Sequence, residues 1–315
     1  MLTLDKIDRK LLFELSLNSR QPTTILARKL AVSREVVDYR IKRLVEKKII
    51  RDFITNINYE KLGYISAFLL VSINAEKETE FIEYVNSLDY VSWAGTHLGF
   101  WSLGMAIYGK NISEVEERFQ KIFLKYKNHI TNHRFSIYKT TEFFTDKYFG
   151  KHNSDMLKKK NLDYKINSYD KFILKTLAKS SRTTAVDLSK EISLSAVAIA
   201  KRIKKLEASG YIQGYSIYVN VLKLSVYLFI FFIQNKSLEQ RKKLFSYLKK
   251  HPKVSLLLDY VGDPFIEFGL FVDDPYKARK ILQEIKETFP DNELIDFFLT
   301  QEDFISYGVP KCVFE

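Results

Sequence analysis

Several residue types that build other classes of protein are scarce in this chain. One cysteine, Cys312, among 315 residues excludes a disulfide framework and a CxxC metal or redox pair. Eleven glycines and six prolines exclude collagen-like and low-complexity chains. The longest apolar run, Val226 to Ile233, has eight residues, whereas a membrane helix needs about 20. We therefore expect a globular chain without a membrane segment, working in the reducing cytoplasm.

Positive charge is concentrated in two separate segments. Residues 1–62 carry 14 basic and 8 acidic side chains, and residues 166–224 carry 10 and 4, so each segment has a net charge of +6. Residues 63–151 have a net charge of zero, and residues 225–315 have a net charge of −2. Two basic modules carried by near-neutral ones predict a polyanionic partner that is contacted at two points.

The chain contains an internal duplication. Shifting residues 8–53 forward by 162 positions, without a gap, gives 12 identities over 46 positions. Asp8 falls on Asp170, and Arg40-Ile41-Lys42 falls on Arg202-Ile203-Lys204. Beyond this segment, both halves show the order strand-helix-strand-strand-helix-strand, which is typical of a ferredoxin-like unit. The last strands of that order are predicted at 134–141 and 294–299. The strand 226–233 is apolar throughout, so we expect it to be buried on both faces by another sheet.

Each basic segment has the pattern of a helix-turn-helix. In the first, Pro22 can open a helix, residues 31–33 form a turn, and Ser33 is a good N-cap for a third helix. Val37, Ile41 and Leu44 then point inward at helical spacing. The second helix of such a motif inserts the side chains near its N-terminus into the major groove of DNA.

The outward positions of the two third helices give the candidate DNA-binding residues. We assign Arg34, Glu35, Asp38 and Tyr39 to base edges, and Lys42 and Arg43 to phosphates. The second copy presents Ala196, Val197 and Ala200, followed by Lys201, Lys204 and Lys205. Alanine and valine offer no hydrogen-bond code, so the first module is predicted to read sequence and the second to anchor to the backbone.

Arg40 and Arg202 recur at equivalent positions, as do Asp8 and Asp170. Each arginine flanks the inner face of its helix. A structural salt bridge to the aspartate of the first helix and a contact to phosphate are both compatible with this position.

The segments LDKIDRKLLFEL and SREVVDYRIKRLVEKKII, with their second copies, resemble the Lrp/AsnC family of transcriptional regulators. The resemblance implies an α+β chain in which two helix-turn-helix domains (1–62 and 168–224) alternate with two ferredoxin-like domains (63–149 and 225–315), with a linker at 150–167. It implies double-stranded DNA as the partner, association with the nucleoid, and an unidentified small-molecule effector. We expect an intrachain pseudo-dimer with its β-domains paired sheet to sheet. Pairing between chains, and further homo-oligomers, remain open.

No motif predicts catalysis, a cofactor or a metal site. His129 and His133 are four residues apart, but no further ligand completes a set. One enzymatic alternative is a fused pair similar to the sirohaem decarboxylases, in which His97 between aromatic residues would contact a tetrapyrrole. A scaffold that binds only protein partners is a further alternative.

Overall fold

The computed structural model describes residues 4–150, 162–234, 237–262, 265–306 and 308–314. The chain divides into two compact units: residues 1–64, 153–220 and 307–315 form the first, and residues 65–152 and 221–306 form the second. Each unit therefore draws on both halves of the duplication, as an intrachain pseudo-dimer requires. The predicted α+β class is confirmed. Most of the predicted linker, residues 151–161, lies outside the described residues, and the sequence-based domain boundaries stay predictions.

The first unit consists of two three-helix modules, each followed by a strand. The elements are α1 (Lys6–Leu17), α2 (Thr23–Leu30), α3 (Arg34–Glu46) and β1 (Ile50–Ile57), then α6 (Ser168–Lys179), α7 (Ala185–Ser189), α8 (Ala196–Ala208) and β6 (Ile212–Val219). α1 begins with a capping box, in which the Asp5 side chain accepts from the Asp8 N–H and the Asp8 side chain accepts from the Asp5 N–H. Asn167 and Asp170 repeat this arrangement at the start of α6.

The strands β1 and β6 pair with each other in an antiparallel ribbon. Ile54 faces Ser216, which is the residue 162 positions further along the chain. A strand that pairs with its own copy at equivalent positions is centred on a local two-fold axis. These strands were not predicted as such, although both follow a helix-turn-helix copy.

The second unit contains two ferredoxin-like halves. The first half comprises β2 (Ile65–Ile73), α4 (Ala75–Asn86), β3 (Val91–Gly99), β4 (Leu103–Gly109), α5 (Ile112–Tyr126) and β5 (Ile130–Phe143). The second comprises β7 (Tyr227–Gln234), α9 (Leu238–Lys250), β8 (Val254–Tyr260), β9 (Phe265–Val272), α10 (Pro275–Thr288) and β10 (Glu293–Ser306). The predicted order of elements is confirmed in both halves.

The eight strands of the second unit close into one sheet in the order β10-β3-β4-β2-β5-β8-β9-β7. The two halves therefore meet at their edges, through β5 with β8 and β3 with β10, as well as through their inner faces. This explains why β5 and β10 are both 14 residues long, and longer than predicted. Residues 138–143 of β5 pair with β8 of the other half, and residues 298–306 of β10 pair with β3 of the other half.

Alternate residues of β7 are buried on opposite sides of this sheet. Phe231 and Ile233 pack beneath the outer helices, in a cluster that includes Leu244, Leu248 and Ile285. Ile230 and Phe232 pack inside the closed sheet, in a cluster with residues of the first half. Burial on both faces is thus confirmed for residues 230–233, whereas Tyr227 at the start of the strand is 38% exposed. Within the described residues, every helix is too short or too polar to cross a membrane.

Candidate nucleic-acid interface

The first module holds α3 against α1 and α2 through a tight turn. Ala31 adopts a left-handed conformation (φ 56°) that ends α2, and the Ser33 hydroxyl accepts from the Val36 N–H at 3.4 Å to cap α3. Leu26, Val37 and Leu44 are fully buried. The apolar side of α3 is therefore fixed in the module, and its polar side is left to solvent.

The polar side of α3 carries the residues predicted to contact DNA. Arg34, Glu35 and Asp38 are exposed, Tyr39 is 64% exposed, and the Lys42 side chain is 78% exposed. The Asp38 carboxylate accepts from the Thr23 hydroxyl at 3.1 Å, which orients it at the start of α2. The main-chain N–H of Glu35 stabilises its carboxylate and lowers its pKa. The polar side of α3 is therefore accessible to a partner. One of the predicted DNA-binding residues on it is instead engaged within the module.

That residue is Arg43, whose guanidinium turns back to Asp8. Its Nη2 lies 2.5 Å from Asp8 Oδ2, while Arg40 Nη1 lies 2.7 Å from Asp8 Oδ1. Asp8 is only 1% exposed, so two arginines neutralise one buried carboxylate. Hydrogen bonding to Asp5 raises the pKa of Arg40. The salt-bridge interpretation of Arg40 is confirmed, whereas the phosphate contact assigned to Arg43 competes with this pair and stays a prediction.

The second module repeats the architecture with a different outer face. Arg202 Nη1 lies 3.0 Å from Oδ1 of the fully buried Asp170, and the Ser195 hydroxyl caps α8 at the Ala198 N–H. Val197 is 67% exposed, and Ala200 is exposed with it. The predicted backbone-contacting residues Lys201, Lys204 and Lys205 are all exposed. α8 therefore presents an apolar start followed by cations.

A local two-fold axis relates the two modules within the first unit. The Ser19 and Ser181 hydroxyls, 162 residues apart, hydrogen-bond each other at 2.5 Å. The Ser19 N–H donates to the Tyr215 carbonyl, and the Ser181 N–H donates reciprocally to the Phe53 carbonyl. Tyr215 is the 162-residue copy of Phe53, so the contacts are equivalent in pairs. The modules are joined as a symmetric dimer would be, although they belong to one chain.

Arginines extend this junction on both sides of the axis. Arg20 donates to the Thr183 carbonyl at 2.9 Å, and Arg182 donates to the Ser19 carbonyl at 2.9 Å. Burial lowers the pKa of Arg182. The identical pairs Ser19-Arg20 and Ser181-Arg182 were visible in the duplication, but no role was predicted for them. Their retention in both copies was the available signal, although residues that act within one module, such as Asp8 and Asp170, recur in the same way.

Comparison with known proteins agrees with this architecture. A family model described as an AsnC-type helix-turn-helix domain matches residues 4–45, and one described as winged helix-turn-helix DNA-binding matches residues 166–213. An uncharacterized HTH-type transcriptional regulator of Pyrococcus abyssi is 36% identical over 116 residues, which cover 36% of this chain and 77% of that protein. The chain belongs to the Lrp/AsnC family. The resemblance predicted from sequence is confirmed, and with it the class, a DNA-binding transcriptional regulator.

Two further proteins resemble this Lrp/AsnC chain, one in sequence over a short segment and one in fold over nearly the whole chain. The HTH-type transcriptional regulator LrpA of Pyrococcus horikoshii is 42% identical over 59 residues, which cover 19% of this chain and 42% of that protein. The solved structure of the siroheme decarboxylase NirDL, in complex with an iron-uroporphyrin III analogue, has a TM-score of 0.65 at 14% identity and covers 98% of this chain and 95% of that chain. At this identity the second match establishes a shared fold only.

The enzymatic alternative assigned a ligand contact to His97, which lies in the interior of the second unit. His97 is 6% exposed, and its ring stacks on Phe298 with centroids 4.0 Å apart. Neither ring nitrogen has a hydrogen-bond partner among the described residues, and burial lowers its pKa to about 3. The imidazole is thus neutral and enclosed by rings.

The duplication explains why the His97 ring has no hydrogen-bond partner among the described residues. In the other half, the Tyr260 hydroxyl donates to the buried Glu267 carboxyl, and burial raises the pKa of Glu267 to about 8. Gly95 pairs with Gly104 in the first half, and Leu258 pairs with Glu267 in the second half. When these pairs are superimposed, His97 lies at the position of Tyr260. Gly104 then lies at the position of Glu267. A Cβ at Gly104 would lie 2.7 Å from His97 Nε2. The imidazole fills the space that a side chain takes in the other half.

Proposed function

We propose that this protein is a sequence-specific transcriptional regulator that grips DNA with two unlike helix-turn-helix modules carried on one chain. The observation that supports the proposal is the local two-fold axis, with the Ser19–Ser181 contact and the β1–β6 ribbon on it. Paired modules of this type bind two half-sites, and the symmetry of the site follows that of the protein. Because α3 and α8 carry different residues, the preferred DNA site is asymmetric.

The two recognition helices have different tasks in this proposal. Tyr39, with Arg34, Glu35 and Asp38, offers hydrogen-bond donors and acceptors to base edges. α8 offers alanines and Val197 at its start, which can contact thymine methyl groups, and then Lys201, Lys204 and Lys205 for phosphates. Base discrimination therefore comes mainly from α3, while α8 contributes salt-dependent affinity.

A binding-site selection on the full chain tests this division of roles. The wild type should select a site with one well-defined half and one degenerate half. Tyr39→Ala should reduce discrimination at the affected positions by about 1–3 kcal/mol per base pair, whereas Lys201→Ala should weaken binding to all sequences alike. Equal losses of discrimination in the two variants, or a palindromic selected site, would contradict the proposal.

We further propose that the chain is not an enzyme, and the fold shared with NirDL gives the alternative a direct test. His97 is stacked on Phe298 and enclosed in the interior, so it is not presented to a ligand. Addition of an iron tetrapyrrole to the full chain should therefore leave the Soret band of the free compound unshifted, while duplex DNA binds. A shifted Soret band that is lost in His97→Phe, together with no DNA binding, would favour the enzymatic alternative.

A further inference from the structure

Equivalent helices of the second unit lie on the outer faces of its two halves. α4 buries Phe81 and Val85 against the first half, and α9 buries Leu244 and Leu248 against the second. Both pairs are spaced by four residues, so each helix turns one apolar stripe toward the sheet and the opposite stripe toward solvent. The two helices therefore present matching surfaces on different sides of the closed sheet.

These matching surfaces carry opposite charge. α4 has four acidic residues and one basic residue, for a net charge of −3, whereas α9 has five basic residues and one acidic residue, for a net charge of +4. We call Glu76, Glu78, Glu80 and Glu83 the acidic face, and Lys242, Lys243 and Lys250 the basic face. When the buried stripes of the helices are superimposed, Glu80 coincides with Lys243. Glu78 likewise coincides with Arg241, whereas Glu76 coincides with Glu239, so the two helices have diverged to opposite net charge without inverting it at every position.

Part of each face has no ionic partner within the described residues. Glu80 pairs with Lys77 at 2.8 Å, and Lys243 pairs with Glu239 at 2.8 Å. Neither Glu78 nor Glu83 on α4, and neither Lys242 nor Lys250 on α9, forms an ion pair in the part of the chain that the structure describes. The basic face also lines a shallow groove of about 480 Å³, together with Ser246 and Tyr247. The groove can admit side chains of an acidic partner.

We propose that the basic face of one chain binds the acidic face of a second copy of the same chain. Faces of opposite sign on different sides of one molecule are complementary between copies but not within one copy, and such head-to-tail contacts build rings or filaments. This assembly lies beyond the DNA-binding function and uses neither recognition helix. Because the contacts are exposed charges, it is strong at low ionic strength and weak at high ionic strength.

Charge complementarity favours a second copy over nucleic acid as the occupant. A nucleic-acid contact would account for the lysines of α9 but would leave the glutamates of α4 unexplained. Pairing between copies accounts for both faces with one contact. The two faces lie on equivalent helices of the duplication, so the helices of neighbouring copies can lie side by side.

A charge-swap experiment on the full chain tests this contact by sedimentation velocity. The wild type should associate in about 0.1 M salt and dissociate in about 1 M salt. The basic-face variant is Lys242→Glu/Lys250→Glu, and the acidic-face variant is Glu78→Lys/Glu83→Lys. Both alter residues that form no ion pair with the described part of the chain. Each variant alone should associate at least about tenfold more weakly, because opposite charges become like charges. An equimolar mixture of the two should associate again, since every face then meets its opposite.

Three results would overturn the proposal. The first is a wild type that remains a single species at both salt concentrations. The second is a mixture of variants that sediments as the separate variants do, with circular dichroism showing that both are folded. The third is a basic-face variant with unchanged association but a smaller salt dependence of DNA binding, which would assign α9 to nucleic acid. The variant Lys171→Glu, altered at an exposed lysine of α6, is the matched control and should associate like the wild type.

Discussion

At the scale of single residues, each module is held together by a buried carboxylate and an arginine. Asp170 is fully buried and Asp8 nearly so, and each lies on the first helix of its module, opposite an arginine of the third. A buried charge is tolerated only when it is paired and hydrogen-bonded. The capping-box hydrogen bond to each aspartate supplies the second requirement. Each aspartate thus caps the start of the first helix of its module and, through the arginine, positions the third helix.

This arrangement predicts energetic coupling between Arg202 and Asp170. Arg202→Ala leaves a buried carboxylate without its cation, and Asp170→Asn leaves the arginine without its anion. The sum of the two single losses in the free energy of unfolding should exceed the loss in the double variant, with a coupling of about 0.5–3 kcal/mol. Urea unfolding of the wild type and the three variants measures it. Strict additivity would show that the pair contributes nothing to stability.

The interior of the second unit predicts opposite pH dependences for two residues. Glu267 keeps its proton in the folded chain to about pH 8, because burial raises its pKa from an ordinary value of 4.5. The folded state therefore binds more protons than the unfolded state between these limits, and the free energy of unfolding falls as pH rises. His97 stays neutral to about pH 3, because burial lowers its pKa from an ordinary value of 6.5, so its contribution falls as pH decreases below 6.5.

Urea unfolding across this pH range separates the two contributions. Glu267→Gln should flatten the decline in stability between about pH 5 and 8. His97→Phe, which keeps an aromatic ring against Phe298, should flatten the decline between about pH 6 and 3. Profiles identical to that of the wild type would show that neither residue is held in the uncharged state.

At the scale of elements, sequence patterns predicted the helices and turns within each copy of the duplication. They missed the strand pairing between the two copies. Helical spacing, the Ser33 cap and the turn at 31–33 define each helix-turn-helix, because these signals are local. The lengths of β5 and β10 and the pairing of β1 with β6 depend on contacts with residues more than a hundred positions away. Exposure of α3 followed from its polar stripe, but the attachment of Arg43 to Asp8 required knowledge of how α1 and α3 cross.

The β1–β6 ribbon can be tested by a cross-link on its axis. Ile54 and Ser216 face each other, and facing residues of an antiparallel pair have Cα atoms about 4.5–5.5 Å apart, within disulfide range. Under mild oxidation, Ile54→Cys/Ser216→Cys should form a disulfide within one chain, which non-reducing electrophoresis and mass spectrometry detect. Ile54→Cys alone is the control. Covalent dimers at high dilution would show that the ribbon forms between chains.

At the scale of the whole molecule, the duplication combines two modules on one chain and allows them to diverge. A homodimer must present the same recognition helix twice, whereas this chain presents α3 and α8, which differ at most outward positions. Tethering also raises the effective concentration of the second module once the first is bound. In the proposed mode of binding, affinity depends on phosphate contacts from both modules, and base discrimination depends mainly on α3.

The central claim is that both helix-turn-helix modules contact one DNA duplex. Its most direct test is a salt titration of binding to random double-stranded DNA. Contact with about six phosphates predicts a slope of about −5 in a plot of log affinity against log salt concentration. Replacing Lys201, Lys204 and Lys205 with glutamine should make this slope shallower by about 3, or about 1 for each phosphate that is no longer neutralised. A flat response of the wild type, or an unchanged slope in the triple variant, would contradict the account.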